Sequence, residues 1–204
     1  KGLMSMPGIT YIEGEAKFID KKIIEVNGTQ MTADNIIIAT GSHARLLPFI
    51  PAFNTPEGES LKNKVLTSTE LLDIDHVPQT MAIIGAGVIG LELASAFETF
   101  GSKVTVIEFL KECFPSIDYD IAKRLRKTLE KRGINFNMNS GVKSIVATED
   151  KKQAIVTFEQ KGQEKKVIAD IVLVATGRAA NIEGLGLEIA GINCIKQGIE
   201  TNEH

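Results

Sequence analysis

Gly85-Ala86-Gly87-Val88-Ile89-Gly90 sets three glycines at the spacing GxGxxG. Alone, such a run is as readily a glycine-rich turn as a ligand site, and its flanks decide. Met81-Ala82-Ile83-Ile84 before it is a short apolar run of the buried parallel-strand kind. Val88 to Phe100 after it has helical spacing. Leu91, Leu93-Ala94 and Phe97 recur every three to four residues, and Gly101 stops the run. A second strand-like run, Lys103 to Ile107, ends in Glu108, eighteen residues past Gly90. A dinucleotide-binding βαβ unit places an acid about 20 residues on.

The chemistry of such a unit is electrostatic. Gly85 permits the tight strand-to-helix turn, Gly87 lacks the Cβ that would fend off a pyrophosphate, and Gly90 lets helix and strand pack closely. The free N–H groups and positive dipole end of the Val88–Phe100 helix face the phosphates. Glu108 can accept from both hydroxyls of an adenosine ribose, and its charge repels a 2′-phosphate, which favours NAD over NADP. FAD domains use the same glycine fingerprint, so spacing alone does not separate the two cofactors.

The surrounding pattern supplies the elements that hold this loop. Tyr11–Ala16 and Ile23–Val26 read as strands, and Asn27-Gly28 is a type I′ turn signal between strands. Gln30 to Thr40 reads as a further strand ending in the buried-looking run Ile36–Ala39. Together they predict an antiparallel meander feeding a buried strand. Gly41 to about Pro78, with Pro48, Pro51, Pro56 and Pro78, reads as a linker holding one short helix. Thr67 and Glu70 have capping-box spacing ahead of Leu71-Leu72. Asp118–Arg132 is a second amphipathic helix ended by Gly133, and Ile134-Asn135-Phe136 starts a third strand of the α/β part. Val142–Thr148, Ala154–Glu159 and Lys165–Ile168 form a second meander, before the apolar run Ile171–Ala175. Ala33-Asp34, then an apolar strand, then Thr40-Gly41 is echoed by Ala169-Asp170, an apolar strand, then Thr176-Gly177. That echo implies two domains of one design, with only the end of the first present.

Composition narrows the classes. The 204 residues are 43% hydrophobic and 24% charged, the profile of a globular protein with a real core. A net charge of −3 argues against nucleic acid or an anionic membrane as the main partner. The longest apolar runs are strand-sized, well short of the ~20 residues of a membrane span, and no leader segment is evident. Cys113 and Cys194 make neither a disulfide framework nor a zinc or CxxC site, so a reducing, cytoplasmic setting is expected and no metal site. His43, His76 and His204 fall in loops or at the terminus, and none is assigned as a catalytic base. Lys161 to Lys166 reads as a solvated turn. The ends, Lys1 without a methionine and Asn202-Glu203-His204, suggest a piece of something longer.

Four stretches in combination carry a family resemblance. They are Met81 to Glu108, Ala175-Thr176-Gly177-Arg178 with Asn181, Ile38-Ala39-Thr40-Gly41-Ser42, and Gly8 to Phe18. Over essentially the whole chain the sequence resembles the flavin-dependent pyridine nucleotide–disulfide oxidoreductases, especially the branch that oxidises dihydrolipoamide. The resemblance implies a Rossmann-like, three-layer FAD/NAD(P)-binding α/β fold with a central parallel sheet and an antiparallel meander. It implies that residues 1–42 end an FAD-binding domain, 43–77 are the linker, 78–180 are the NAD-binding domain, and 181–204 begin the return to the FAD domain. Carried over by position, Gly85 to Gly90 hold the pyrophosphate and Glu108 the ribose. Glu92 lies near the nicotinamide, although an ordinary first-turn helix acid explains it equally well. Val142 touches the adenine, and Gly177 approaches the cofactor with its backbone. Ala16 and Gly41 lie near FAD in the parent, a homodimer acting on a lipoyl-type disulfide.

The sequence also departs from the family. The FAD-binding GxGxxG, the CxxxxC redox disulfide, the later Gly-Asp motif and the C-terminal His–Glu pair do not occur in it. Cys113 and Cys194 do not match the redox pair, and Cys113 reads as a plain packing or surface cysteine. The chain alone is therefore expected to bind NAD(H) and to turn nothing over. A related reductase of the glutathione, mercuric or coenzyme A type, or a stand-alone NAD-binding or sensing module, are the alternatives.

Overall fold

The computed structural model describes residues 2, 6–48, 50, 55–195 and 198–203. The chain divides into two compact units, Lys1–His43 with Ala179–His204, and Ala44–Arg178. In the first, β1 (Ala16–Asp20), β2 (Ile23–Val26) and β3 (Thr29–Thr32) form an antiparallel meander. Asn27 and Gly28 take φ of 52° and 78°, as a type I′ turn requires. The first strand begins at Ala16 rather than Tyr11. Register decides this: Ala16 pairs with Val26 and Phe18 with Ile24, which buries Phe18, whereas Tyr11 is exposed. The run Ile36–Ala39, expected as a buried strand, has no regular structure, and Ile37 is 90% exposed. An apolar run becomes a strand only when a neighbour pairs with it, and among the described residues none does. The chain then passes through β4 (Ser42–Ala44) into the second unit.

That unit contains α1 (Pro56–Leu61), β5 (Val65–Leu66), α2 (Ser68–Leu71), β6 (Thr80–Ile84), α3 (Val88–Thr99), β7 (Lys103–Ile107), α4 (Tyr119–Arg132), β8 (Asn135–Asn137), β9 (Ser140–Ala147), β10 (Ala154–Gln160), β11 (Gln163–Ala169) and β12 (Ile171–Val174). A parallel sheet runs in the order β5-β12-β6-β7-β8, and β11-β10-β9 form a separate antiparallel sheet. Strand alternation sends the parallel strands' residues to two cores. Met81, Ile83, Val106 and Leu173 meet Leu91, Phe97 and Leu129 of the helices. Ala82, Ile84, Ile107 and Val172 meet Ile145, Val156 and Phe158 of the meander. Helices, parallel sheet and antiparallel meander thus form three layers, the arrangement the resemblance implies, because both faces of a parallel sheet must be covered.

Residues 43–77 are more than a connection. Val65 and Leu66 pair in parallel with Val172 and Leu173 and widen the sheet by one strand. Leu61, Val65 and Leu71 are buried. A two-residue strand is too short to show a period, so sequence pattern passes over it. The capping box forms: the Thr67 N–H donates to Glu70 Oε2 at 2.8 Å, and the Thr69 N–H to Thr67 Oγ1 at 3.3 Å. The bond from the Thr67 hydroxyl holds the Glu70 carboxyl below its ordinary pKa. At the opposite end of the sheet, the Asp170 carboxylate joins the starts of β6 and β12. It accepts from the Thr80 N–H and Oγ1 at 2.8 Å each and from Gln153 Nε2 at 2.9 Å. Burial resists its ionisation, but the Thr80 and Gln153 bonds outweigh burial and its pKa lies below the ordinary range. The chain returns to the first unit through β13 (Arg178–Ala180), where β14 (Cys194–Ile195) and β15 (Gly198–Ile199) make a small antiparallel pair. The Pro51 part of the proline-rich stretch and His204 lie outside the described residues.

Candidate functional site

The glycine loop joins β6 to α3, and its three glycines have three different surroundings. Gly85 adopts φ of +105°, and a Cβ there would stand 2.5 Å from the Ala175 carbonyl oxygen. A Cβ on Gly90 would stand 2.2 Å from the Gly85 carbonyl oxygen. Both positions are closed by the protein's own backbone. A Cβ on Gly87 would meet nothing within 4 Å. Gly87 faces a cleft of about 740 Å³ at the carboxyl ends of β12, β6 and β7, which is where open parallel sheets bind ligands.

Gly85, Gly87, Val88 and Ile89 form the floor of the cleft. Glu108, Phe109, Leu110 and Pro115 form one wall, Ser140 to Lys143 of β9 another, and Val174 to Arg178 the third. Ala86 and Gly90 lie buried behind the floor, outside the lining. Ala86 works through its backbone: its N–H donates to Glu108 Oε2 at 2.6 Å, and its carbonyl accepts the Phe114 N–H at 3.1 Å.

Glu108 is fixed on several sides. Its Oε1 accepts the Leu110 N–H at 2.7 Å. Its own N–H donates to the Asn137 carbonyl at 2.9 Å, and its carbonyl accepts from the Ser140 N–H at 2.8 Å. A carboxylate offers about four acceptor sites, so its bonds to Ala86 and Leu110 leave acceptor capacity at a residue that lines the cleft.

Val142 reaches the lining through an irregularity in β9. Thr157 pairs with Ser144 but Phe158 pairs with Val142, so Lys143 is an extra residue in the strand. Without this bulge the period of two would put Lys143 on the face of Ile145 and Ala147 and send Val142 to the other face. With it, Val142 packs with Ile145 and Phe158. Lys143 stands at the rim, its ammonium 3.2 Å from Glu159.

Gly177, at φ of +120°, lines the cleft, and its carbonyl accepts the Arg45 N–H at 3.0 Å. Glu92 is exposed on α3 one turn past Val88, outside the lining. Ala16 and Gly41 belong to the other unit. Ala16 is an exposed β1 residue, and the Gly41 carbonyl accepts the Asn181 N–H at 3.0 Å. Sequence reading overlooked Phe109, Leu110, Lys143 and Arg178 as lining residues. Phe109 and Leu110 had an available signal, being apolar and directly after the acid at a strand end; Lys143 had none, since its place depends on register.

The cysteines have different settings. Cys113 is buried and Cys194 exposed. Burial pushes the Cys113 thiol up to about 12, with the adjoining Glu112 adding to the effect. Its Sγ donates to the Ala122 carbonyl at 3.3 Å. Among the described residues no cluster of three His, Cys, Asp or Glu could hold a metal, and no helix is long and apolar enough to cross a membrane.

Comparison with known proteins places the chain. The family model for pyridine nucleotide-disulphide oxidoreductases matches residues 1–204, and the chain belongs to that family. It is 38% identical over 198 residues to the mercuric reductase of Staphylococcus aureus, covering 97% of this chain and 34% of that protein. It is 37% identical over 202 residues to the dihydrolipoamide dehydrogenase of Chaetomium thermophilum, covering 96% of this chain and 38% of the relative. Among solved structures it superposes on the HOCl-induced flavoprotein disulfide reductase RclA of Escherichia coli with a TM-score of 0.79. That match has 32% identity and covers 96% of this chain and 42% of the other. The chain thus spans less than half the length of these relatives.

Proposed function

We propose that the cleft binds the adenosine diphosphate part of NAD(H), and that the chain is the NAD-binding portion of an FAD-dependent disulfide oxidoreductase of the dihydrolipoamide dehydrogenase type. The observation that carries this reading is the contrast at the loop. Gly85 and Gly90 are glycines because protein backbone crowds them, whereas Gly87 is a glycine facing empty space. A bare Cα beside open space, at a helix start, suits a pyrophosphate.

The residues present fit the cofactor. The amides at the start of α3 would take the pyrophosphate, Glu108 the ribose hydroxyls, and Val142 with Phe109 the adenine. Glu108 opposes a 2′-phosphate, so NAD is the preferred nucleotide. Glu92 and Gly177 would lie toward the nicotinamide half. When bound, the nicotinamide supplies a hydride acceptor or donor to a flavin in the parent. This chain's own part is to hold the dinucleotide still and keep its adenosine end out of water.

The same reading takes residues 1–42 and 181–204 as parts of an FAD-binding domain, with Ala16 and Gly41 toward FAD. It takes the parent as a cytoplasmic homodimer acting on a lipoyl-type disulfide. The mercuric reductase similarity makes Hg(II) reduction the competing activity, and the two separate in an assay of the full-length parent with dihydrolipoamide and with Hg(II). For the chain itself the test is titration with NADH and NADPH, following nicotinamide fluorescence. Preferential binding of NADH supports the reading. Preference for NADPH overturns the role of Glu108, and no binding of either overturns the site.

A further inference from the structure

We infer that Glu112 and Arg126 are a positioning pair for the nucleotide cleft: their ion pair holds in place the loop that forms the wall carrying Glu108, Phe109, Leu110 and Pro115. This rests on the nucleotide reading of that cleft.

Residues 108–118 connect β7 to α4 and contain no regular structure. A connection of this kind ordinarily runs over the surface and moves. Here its middle is buried. Glu112 is 9% exposed, Cys113 2% and Phe114 7%, while Phe109 and Leu110 before them stand out at 76% and 42%. The loop is pushed inward at its centre and presents its ends to the cleft.

The fastening at the centre is ionic. Arg126 Nε donates to Glu112 Oε1 at 2.6 Å and Nη2 to Oε2 at 3.0 Å, the two-pronged geometry that fixes orientation as well as distance. Glu112 Oε1 also accepts the Cys113 N–H at 3.0 Å, and Arg126 Nη1 donates to Glu130 Oε1 at 2.5 Å. The hydrogen bond from Arg126 holds the Glu112 carboxyl below its ordinary pKa. The pair therefore ties the loop to the second turn of α4, a rigid element, rather than to another loop.

The consequences reach the cleft from both sides of Glu112. On one side, Phe114 docks on the glycine loop through its N–H bond to the Ala86 carbonyl, and Pro115 follows it into the lining. On the other, the Phe109 ring lies over Gly141 on the opposite wall, where a Cβ would stand 3.7 Å from Phe109 Cδ2. Phe109 thus reaches from its own wall to β9, so the position of that wall decides how much of the cleft is open to an adenine. A buried ion pair is a poor source of stability, because desolvation offsets most of the attraction. It does fix a unique geometry, and here the fixed geometry is that of the wall.

The test compares Arg126→Lys, which keeps the charge and loses the two-pronged bond, with the double charge reversal E112R/R126E. NADH, AMP and nicotinamide mononucleotide are titrated against the 204-residue chain well below its melting temperature. For Arg126→Lys, the Kd values for NADH and AMP should rise together by about tenfold, a loss of ~1.4 kcal/mol. The Kd for nicotinamide mononucleotide should not change, and the double reversal should recover most of the loss. A folded Arg126→Lys chain with unchanged NADH and AMP affinity overturns the inference, whatever happens to its melting temperature. An equal loss for all three ligands overturns it as well. Absence of NADH binding by the unmutated chain overturns the nucleotide reading, and this inference with it.

Discussion

Glu108 Oε2 accepts the N–H of Ala86, twenty-two residues earlier in the chain, at 2.6 Å. The carboxylate at the end of β7 is therefore also the brace of the glycine loop at the end of β6. The two parts that the proposed function assigns to an anion and to a sugar, the loop and the acid, are thus joined by a single charged hydrogen bond. Such bonds are worth about 1.5–3 kcal/mol, so the acid cannot be removed without loosening the loop.

Glu108→Ala should weaken NADH binding by about tenfold and narrow the gap to NADPH, since the repulsion of a 2′-phosphate goes with the charge. The two nucleotides titrated against both proteins measure this directly. A Glu108→Ala chain that keeps its NADH preference would remove the ribose from the acid's role.

Gly87→Val and Gly90→Ala should behave oppositely. At Gly87 a side chain points into open space, and its φ of −79° is ordinary for any residue. Gly87→Val should therefore melt within a few degrees of the unmutated chain while losing NADH binding. At Gly90 one methyl would meet the Gly85 carbonyl oxygen at 2.2 Å. Overpacking of that kind costs about 1–3 kcal/mol, and Gly90→Ala should melt several degrees lower. Melting curves and NADH titration of both variants decide it.

Stability should fall in acid, and the sign follows from two carboxylates. Glu112 and Asp170 both have folded-state pKa values below their ordinary ones of 4.5 and 3.8. Groups depressed by folding stabilise fully above the unfolded pKa and lose that contribution as pH falls through the folded value. The melting temperature should be level from neutrality to about pH 5 and drop below it. In Asp170→Asn the starting value should be lower and the acid drop shallower. An unchanged slope in that variant would remove Asp170 from the explanation.

The two thiols should separate cleanly. With its pKa pushed up to about 12, the buried Cys113 holds almost no thiolate at pH 8, and thiolate is the reactive form. A disulfide reagent should modify Cys194 rapidly and Cys113 only on unfolding. Rapid modification of both thiols in the folded chain would contradict the buried position of Cys113.

Much of the cleft could be read from the sequence because its determinants are local. The strand Met81–Ile84, the helix after Gly87, the glycine spacing and the acid at Glu108 all fall within one βαβ unit. There, side-chain periodicity and backbone sterics act over a few residues. The Asn27-Gly28 turn and the Thr67–Glu70 capping box were legible for the same reason. The Ile36–Ala39 run shows the limit: it has the composition of a buried strand, yet Ile37 is 90% exposed. Composition states a preference for burial, and only a partner strand can satisfy it.

What the sequence by itself determined was the alternation of strand and helix around the glycine loop, since that follows from period, glycine and turn chemistry, while the three-layer plan was what the family resemblance implied. Tertiary structure alone decided how the walls around that loop are assembled. The skipped residue Lys143 turns Val142 toward the cleft, the edge strand Val65–Leu66 joins the sheet, and Glu112 finds Arg126 fourteen residues away. Each of these depends on a contact between segments, and a contact between segments leaves no period in the chain for the eye to find.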